Sequence, residues 1–304
     1  SPLDYDIENR GRRLVAHWSI PMTTPPSSPA PARPASTVVL LRPSSRRFDV
    51  FLVRRHYAIA FMGGAHVFPG GRVDQDDYAD ARRVSGVSAQ IGQRMADVAP
   101  EDALAHHVAA VRELFEEAGV LLTPRPLDPD AVTRLTAHRR ELLAGHTTFS
   151  RILDTEGLTP GVEQLFYFSH WVTPVMELKR FNTRFFVARA PEGQTPSHDD
   201  GETTDSDWFD PAEAIERCQK GAIALPPPTW TTLDALARLS SVDEALAWAA
   251  RKPVPQVQPV FLEEDGRRTV CFPGDPLYPP VDGFDATHTR FVFDKDRWRP
   301  ATQV

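Results

Sequence analysis

One helix constrains this chain more than any other segment. Residues 101–119 follow Pro100 and end at Gly119, and proline at the start with glycine at the end is the usual punctuation of a helix. The apolar side chains of this segment recur at spacings of 4, 3 and 4 residues: Leu104, Val108, Val111 and Phe115. This periodicity predicts a helix with one apolar face packed against a core.

Three carboxylates, Glu113, Glu116 and Glu117, lie near the end of the same helix, within reach of one point. Like charges at this spacing repel each other, and the carboxyl end of a helix dipole disfavours anions. Each penalty is only about 0.5 kcal/mol, so a solvated acidic face stays open as the alternative. A hard divalent cation would reverse both penalties because it binds several carboxylate oxygens. We therefore favour a metal site.

The sequence around this helix resembles the Nudix box, G-x5-E-x7-R-E-U-x-E-E-x-G-U, where U is aliphatic. The second half of the box is matched at every fixed position by Arg112-Glu113-Leu114-x-Glu116-Glu117-x-Gly119-Val120, and FPGG at 68–71 is the usual lead-in. The resemblance implies a Nudix-type α/β/α sandwich, with a mixed sheet and extra helical insertions. It also implies hydrolysis of a nucleoside diphosphate linked to another moiety.

The resemblance implies a role for each charged residue of the helix. Glu116 and Glu117 would hold Mg²⁺ or Mn²⁺. Glu113 would be a further ligand or the general base, and Arg112 would orient a glutamate.

The first half of the box is interrupted. Arg112 follows Gly71 by 41 positions instead of 14, so 27 extra residues separate the two halves. The first glutamate is not found, because Asp77 lies six positions after Gly71 and Leu104 lies eight before Arg112. What replaces this glutamate is left open.

An interrupted box of this kind resembles the peroxisomal-type coenzyme A diphosphatase branch and its bacterial relatives. The similar stretches, within residues 37–240, are FMGGAHVFPGGRVD, AVRELFEEAGVLL and HWVTP followed by RFNTRFFVA (170–188). The resemblance implies that coenzyme A or acyl-coenzyme A is cleaved to 3′,5′-adenosine bisphosphate and (acyl-)4′-phosphopantetheine. Two alternatives stay open: a Nudix hydrolase of ADP-ribose, NADH or nucleotide sugars, and a non-catalytic nucleotide-sensing module.

Further candidate site residues lie outside the helix. Arg54 and Arg55 end a predicted strand and could bind substrate phosphates, although exposed strand-end arginines are an equal alternative. The main chain at Gly70 and Gly71 could approach a metal or substrate closely, or could simply form a tight turn. Glu202, in DDGETTDSDWF, matches the place of a late acidic metal ligand or base in many Nudix proteins. A solvated acidic loop would explain Glu202 equally well.

Other chemistries lack their motifs. The histidines form no HExxH or Cys/His pattern, so ordinary structural roles are expected for them: His66, His106, His107 and His170. The glycine-rich stretch GGAHVFPGG is neither GxGxxG nor a P-loop, and no GxSxG supports a serine hydrolase.

Three regions are predicted along the chain. Residues 1–36 are rich in Pro, Ser and Ala and read as a disordered tail, with Met22 near the natural start. Residues 37–250 would form the Nudix domain, with insertions at about 75–100 and 122–160. Residues 251–304 would form an extension that packs a β-hairpin on the domain, with Asp265-Gly266 at its turn.

Charge and composition limit the classes of molecule that this protein is expected to bind. A formal net charge of −7 gives no reason to expect nucleic acid or an anionic membrane as a partner, so a small nucleotide substrate is expected. The two cysteines, Cys218 and Cys271, are far apart and read as free thiols. No apolar run approaches the roughly 20 residues that span a bilayer. The chain ends in ATQV rather than S-K-L, so a bacterial cytoplasm is expected. A homodimer is one option for the oligomeric state.

Overall fold

The computed structural model describes residues 30–57, 63–264, 266–294 and 297–301. Most of the tail predicted at 1–36, including Met22, lies outside the described residues. Asp265, predicted at the tip of the C-terminal hairpin, lies outside them too.

The first strand begins at Arg33, four residues before Thr37, where order was predicted to begin. Its backbone pairs in parallel with a distant strand, with Arg33 opposite Phe181. Ladder hydrogen bonds of this kind form regardless of side-chain hydrophobicity. The composition of residues 33–36, which include proline and alanine, therefore gave no sign of a strand. The predicted boundary between tail and domain moves from residue 36 to Arg33.

Eight strands of the described residues form the main sheet. They run in the order β3-β2-β1-β6-β5-β8, while β4 pairs with β1 and β7 pairs with β2. The β1–β6 and β5–β8 pairs are parallel and the others are antiparallel. Their bounds are β1 (Arg33–Pro43), β2 (Phe48–Arg55), β3 (His66–Val67), β4 (Gly70–Arg72), β5 (Phe166–Val172), β6 (Phe181–Arg189), β7 (Thr203–Phe209) and β8 (Gln256–Val257).

Helices cover both faces of this sheet. They are α1 (Gln75–Ala81), α2 (Ser88–Arg94), α3 (Pro100–Ala118), α4 (Pro129–Leu143), α5 (Phe149–Glu156), α6 (Pro211–Gln219), α7 (Pro227–Leu236) and α8 (Val242–Arg251). Short 3₁₀ segments occupy Arg82–Val87 and Val162–Gln164.

Alternation along the central strand sorts the two cores. Val38 and Leu40 of β1 pack with residues of α1 to α5, whereas Val39 and Leu41 pack with residues of α6 to α8. A mixed sheet between two helical layers confirms the predicted α/β/α sandwich. The Nudix-box helix α3 is confirmed too, since it spans Pro100–Ala118 and is capped by Gly119 in the left-handed region, with φ of 69°.

The first predicted insertion, at about 75–100, is helical and packs into the core. Residues 75–100 fold into α1, a 3₁₀ segment and α2, and their apolar side chains enter the core beside α3: Ala81, Val84, Ile91 and Met95. Val84 has non-helical dihedral angles, which break the segment into short pieces. These breaks hide the helical periodicity from a sequence reading.

The second predicted insertion contains α4 and α5. The helix α4 ends at Leu143, because Gly145 adopts a φ of 74°, and Thr148 caps the new helix α5 at Phe149.

The C-terminal region forms a second, antiparallel sheet in the order β12-β11-β10-β9. Its strands are β9 (Val260–Glu264), β10 (Arg267–Cys271), β11 (Arg290–Asp294) and β12 (Arg297–Pro300). The β9–β10 hairpin is as predicted, but the sequence did not reveal β11 and β12. Val270, Phe272 and Phe291 bury this sheet against the α6–α8 side of the domain.

Two further predictions concern the thiols and the membrane. Both cysteines are buried free thiols, as predicted. Among the described residues, every helix is too short or too polar to cross a bilayer.

Candidate active site

The carboxyl-terminal half of α3 carries the acidic cluster. The four apolar positions predicted from the sequence are all buried, which fixes the rotation of the helix: Leu104, Val108, Val111 and Phe115. The cluster faces the glycine-rich segment around β4. An exposed acidic face is therefore wrong, because the side chains of Glu113 and Glu116 are only 12% and 25% exposed.

Arg112 is the cation at the centre of this cluster. It is only 7% exposed, and its guanidinium donates to Asp77 through two hydrogen bonds of 2.8 and 2.9 Å. It also donates to Glu113 at 2.9 Å, to Glu116 at 3.2 Å and to the carbonyl of Arg72 at 2.8 Å. One arginine thus holds three carboxylates and a main-chain carbonyl in fixed positions.

Asp77 occupies the acidic position that the sequence analysis left open. It lies in α1, is 1% exposed and also accepts the backbone N–H of Asp74 at 2.8 Å, which caps the helix. The interruption of 27 residues therefore falls after this acidic position, between Asp77 and Arg112. The signal was its place six residues after Gly71, which is that of the first glutamate in an uninterrupted box.

Glu113 lies directly against the main chain of Gly71. A Cβ atom at Gly71 would come within 2.5 Å of the Glu113 carboxylate, so only glycine leaves room for it. Burial is the main cause that raises the pKa of Glu113 to about 7, and the charge of Glu116 adds to it, while Arg112 opposes both.

Glu117 and Glu116 complete the cluster. Glu117 accepts the backbone N–H of Gly70 at 2.9 Å, which connects the helix to β4. Burial, followed by the charge of Glu113, raises the pKa of Glu117 well above its ordinary value. Burial also raises the pKa of Glu116, although Arg112 acts against it. The cluster therefore holds more carboxyl groups than Arg112 alone can pair with, and burial disfavours their charged forms.

Arg139 is a supporting residue that the sequence analysis missed. It comes from α4, is 9% exposed, and donates to the carbonyl of Glu116 at 3.0 Å and to Ser197 at 2.9 and 3.0 Å. A cation at the carboxyl end of α3 offsets the unfavourable dipole there. A Cβ at Gly119 would lie 2.8 Å from the Arg139 guanidinium, so this glycine ends the helix and also admits the arginine.

A cavity of about 770 Å³ opens beside the cluster. Its polar end includes the three glutamates, Gly70, Gly71, Arg55 and Glu202. Glu202 is exposed to this cavity, and its charge contributes to the raised pKa of Glu117.

The two arginines predicted to bind phosphate, Arg54 and Arg55, line different cavities. Arg55 lines the main cavity, and its Nε is buried without a hydrogen-bond partner among the described residues. Arg54 instead lines a second cavity of about 530 Å³ together with Tyr57 and His66. Neighbouring residues of a strand point to opposite faces, so adjacent arginines are not expected to enter the same site.

Comparisons with known proteins agree with this geometry. The model of the family described as the NUDT19 Nudix domain matches residues 83–236, slightly more than half of the chain. The chain belongs to this Nudix family. The match includes the helix α3 of the Nudix box and leaves out the second sheet.

Relatives match over most of their length. The chain is 29% identical to the acyl-coenzyme A diphosphatase NUDT19 of Homo sapiens, over 87% of this chain and 78% of that protein. It is 27% identical to the protein of the same name from Xenopus laevis, over 76% and 72%. A crystal structure of a NUDIX hydrolase from Alicyclobacillus acidocaldarius aligns with a TM-score of 0.56 and 27% identity, covering 71% of this chain and 96% of that one. The chain is thus a Nudix hydrolase in sequence and in fold.

The Nudix-box carboxylates fit a divalent cation by their chemistry. Within the described ranges, no three His, Cys, Asp or Glu side chains form a ready-made metal cluster as they are oriented. Glu113 and Glu116 accept from Arg112 and Glu117 accepts from Gly70. The donors are nevertheless all oxygen atoms, which suit hard cations. Burial raises the pKa of all three carboxyl groups, so their charged forms lack favourable partners that a bound cation would supply.

Proposed function

We propose that this Nudix hydrolase cleaves the diphosphate linkage of coenzyme A or acyl-coenzyme A. The products would be 3′,5′-adenosine bisphosphate and 4′-phosphopantetheine or its acyl derivative. The observation that carries the proposal is the composition of the main cavity, which joins the carboxylates and Arg55 to a long apolar region. The names of the NUDT19 relatives support the same substrate.

A divalent cation, Mg²⁺ or Mn²⁺, would be held by Glu113, Glu116, Glu117 and Glu202, with the carbonyls of Gly70 and Gly71 beside them. When bound, such a cation neutralises phosphate charge and lowers the pKa of a coordinated water. Arg112 would keep Glu113 and Glu116 oriented through the contacts described above. The choice between the two metals is a matter for the assay below.

Side chains of this protein would bind the phosphate groups and accept the proton of the attacking water. Arg55 would bind a non-bridging phosphate oxygen, since its guanidinium lines the polar end of the cavity. Glu113 is proposed as the general base that accepts the proton of the attacking water, unless all its oxygens serve as ligands. Arg54 is left out of the proposal because it lines the other cavity.

A substrate panel tests the proposal. The purified protein is incubated with Mg²⁺ or Mn²⁺ and with coenzyme A, octanoyl-coenzyme A, ADP-ribose, NADH or a nucleotide sugar, and the products are separated by chromatography. We expect 3′,5′-adenosine bisphosphate from both coenzyme A substrates. Rapid cleavage of ADP-ribose with intact coenzyme A would favour the alternative Nudix substrates. Binding without cleavage of any compound would favour a nucleotide-sensing module.

Cellular location and assembly are part of the same proposal. The two free thiols suit a reducing compartment such as the cytoplasm. A homodimer stays a prediction that sedimentation equilibrium can test.

A further inference from the structure

The main cavity has two chemically different ends. Cationic side chains gather at the end that holds the carboxylates: Arg55, Arg72 and Arg112. The opposite end is lined mainly by aromatic, aliphatic and proline side chains from the β5–β6 region, from α7 and from the second sheet, with three threonines among them: Thr173, Thr183 and Thr229. Glu177 is the one charged residue of this apolar end within the described part of the chain.

The second sheet contributes only apolar side chains to the cavity. They are Phe261, Val270, Phe272 and Trp298. The strands of this sheet carry five arginines, at positions 267, 268, 290, 297 and 299, and in the described residues none of these lines the cavity. Arg290 is instead paired with Asp275 at 2.8 Å. The arginine side chains of the second sheet thus lie outside the cavity, and the sheet forms an apolar wall of it.

This wall is held rigidly by aromatic packing. Phe272 is fully buried and lies against Trp171 of β5, with ring centroids 5.0 Å apart. Trp298 packs against Phe293 at 5.2 Å. Both ring pairs meet edge to face, an arrangement that gives the wall a defined surface of low polarity.

Beyond the wall, the loop between β5 and β6 carries exposed apolar residues at the rim of the cavity. Met176 is 68% exposed and Leu178 is 90% exposed. Their neighbours Pro174, Glu177 and Phe181 line the cavity itself. The β5–β6 loop therefore contributes both to the cavity lining and to an exposed apolar surface beside it.

We propose that the second sheet forms the subsite for the acyl-pantetheine arm of the substrate and sets a preference for acylated over free coenzyme A. The inference rests on the proposed function. It follows from charge: pantetheine and an acyl chain carry no ionised group, whereas the terminal ribose and sugar moieties of the alternative substrates need polar partners. The β5–β6 loop would contact the far end of longer chains.

The test compares substrates within one enzyme. The ratio of kcat/KM for octanoyl-coenzyme A to that for coenzyme A is measured for the wild type and for Phe261→Ala and Trp298→Ala. We expect a ratio above one for the wild type, and a fall of about tenfold in each variant, because each removes a large part of an apolar wall. Phe261→Leu, which keeps an apolar side chain, should retain the ratio within about threefold.

A matched control and two contrary outcomes complete the design. Leu277 is an exposed apolar residue outside the cavity lining, so Leu277→Ala should keep the wild-type ratio. A wild type that cleaves both substrates, with the same ratio in the Ala variants, would overturn the acyl subsite and leave the proposed function intact. A wild type that cleaves neither would overturn the proposed function, and the acyl subsite with it. Melting temperatures identify any variant that fails to fold; in that case Phe261→Tyr, which adds a hydroxyl group to the apolar wall and should lower the ratio, is compared with Phe261→Leu, which should retain it.

Discussion

Helix α3 buries ionisable side chains in both of its halves, with opposite consequences. In the amino-terminal half, His106 and His107 are 5% and 3% exposed. The Nδ1 atom of His106 lies 3.0 Å from the hydroxyl of Ser36, and that of His107 lies 2.7 Å from the carbonyl of Ala103. Burial is the main cause that lowers the pKa of His106 to about 3 and that of His107 to about 4. Both rings are therefore neutral and satisfied by the protein.

The carboxyl-terminal half leaves charge uncompensated. Three glutamates and Asp77 surround one guanidinium, and the pKa values of all three glutamates are raised. Strongly perturbed groups gathered at a cavity are typical of functional sites, whereas satisfied buried groups are typical of structural ones. The comparison teaches that an excess of carboxyl groups over cations beside a cavity, rather than burial alone, distinguishes the carboxyl-terminal half of α3.

The largest expected effect is on enzymatic activity, which should depend on the carboxyl-terminal half of α3 and not on the amino-terminal half. Replacing both Glu116 and Glu117 by Gln should lower kcat by ~10³-fold, because stabilisation of phosphate charge by a bound cation is worth several kcal/mol. His107→Leu, a matched change in the other half, should leave kcat within about threefold. Chromatographic assay of the cleaved coenzyme A measures both. Undiminished turnover in the double variant would remove the distinction between the halves.

The next effect concerns stability. Asp77→Ala removes the buried partner of Arg112 and should lower the free energy of unfolding by about 4 kcal/mol. Asp76→Ala, an exposed neighbour in α1, should change it by less than about 0.5 kcal/mol. Urea unfolding followed by circular dichroism measures both. Equal stabilities for the two variants would mean that Asp77 does not anchor Arg112.

A third expected effect is on the pH dependence of stability, which should have opposite signs in the two halves of α3. The folded-state pKa of Glu113 is about 7, above its ordinary value of 4.5, so its contribution to stability is present below pH 4.5 and is lost as pH rises towards 7. In metal-free protein, Glu113→Gln should therefore gain stability relative to the wild type over this window, by about 3 kcal/mol. Urea unfolding at pH 5 and pH 7.5 measures the difference.

The histidine half should behave in reverse. The folded-state pKa of His107 is about 4, below its ordinary 6.5, so its contribution is present above pH 6.5 and is lost as pH falls towards 4. The stability of His107→Leu relative to the wild type should therefore increase as pH falls. If both variants follow the same trend, the assignment of opposite charge states to the two halves is wrong.

The smallest expected effect tests the support behind the active half. Arg139→Met keeps the aliphatic stem but loses the hydrogen bonds to Glu116 and Ser197, and should cost about 2 kcal/mol of stability. Arg140→Met removes an exposed arginine from the same helix and should cost almost nothing. Thermal unfolding compares the two. A similar small loss in both would show that the carboxyl end of α3 does not need Arg139.

The sequence revealed what depends on neighbouring residues. The helix α3, the three glutamates near its end and the β9–β10 hairpin all follow from local rules of spacing and turn formation.

What the sequence did not reveal depends on contacts between distant segments. Asp77 is separated from Arg112 by two short helices, and Arg139 reaches the end of α3 from α4. The apolar wall comes from a sheet whose strands β11 and β12 had no recognised pattern. No spacing rule encodes such contacts, so the glutamates of the candidate site were predictable, whereas the residues that support them and the apolar wall were not.

The pair of Asp77 and Arg112 closes a loop of 34 residues at its base. The entropy of closing a loop grows only with the logarithm of its length, so a doubling costs about 0.6 kcal/mol. An insertion at the exposed residues Ser85 and Gly86, away from the side chains that pack against α3, would therefore lengthen the interval without displacing the carboxylates. A search that demands a fixed interval would pass over such chains, whereas one that asks for an acid and an arginine joined in space would retrieve them.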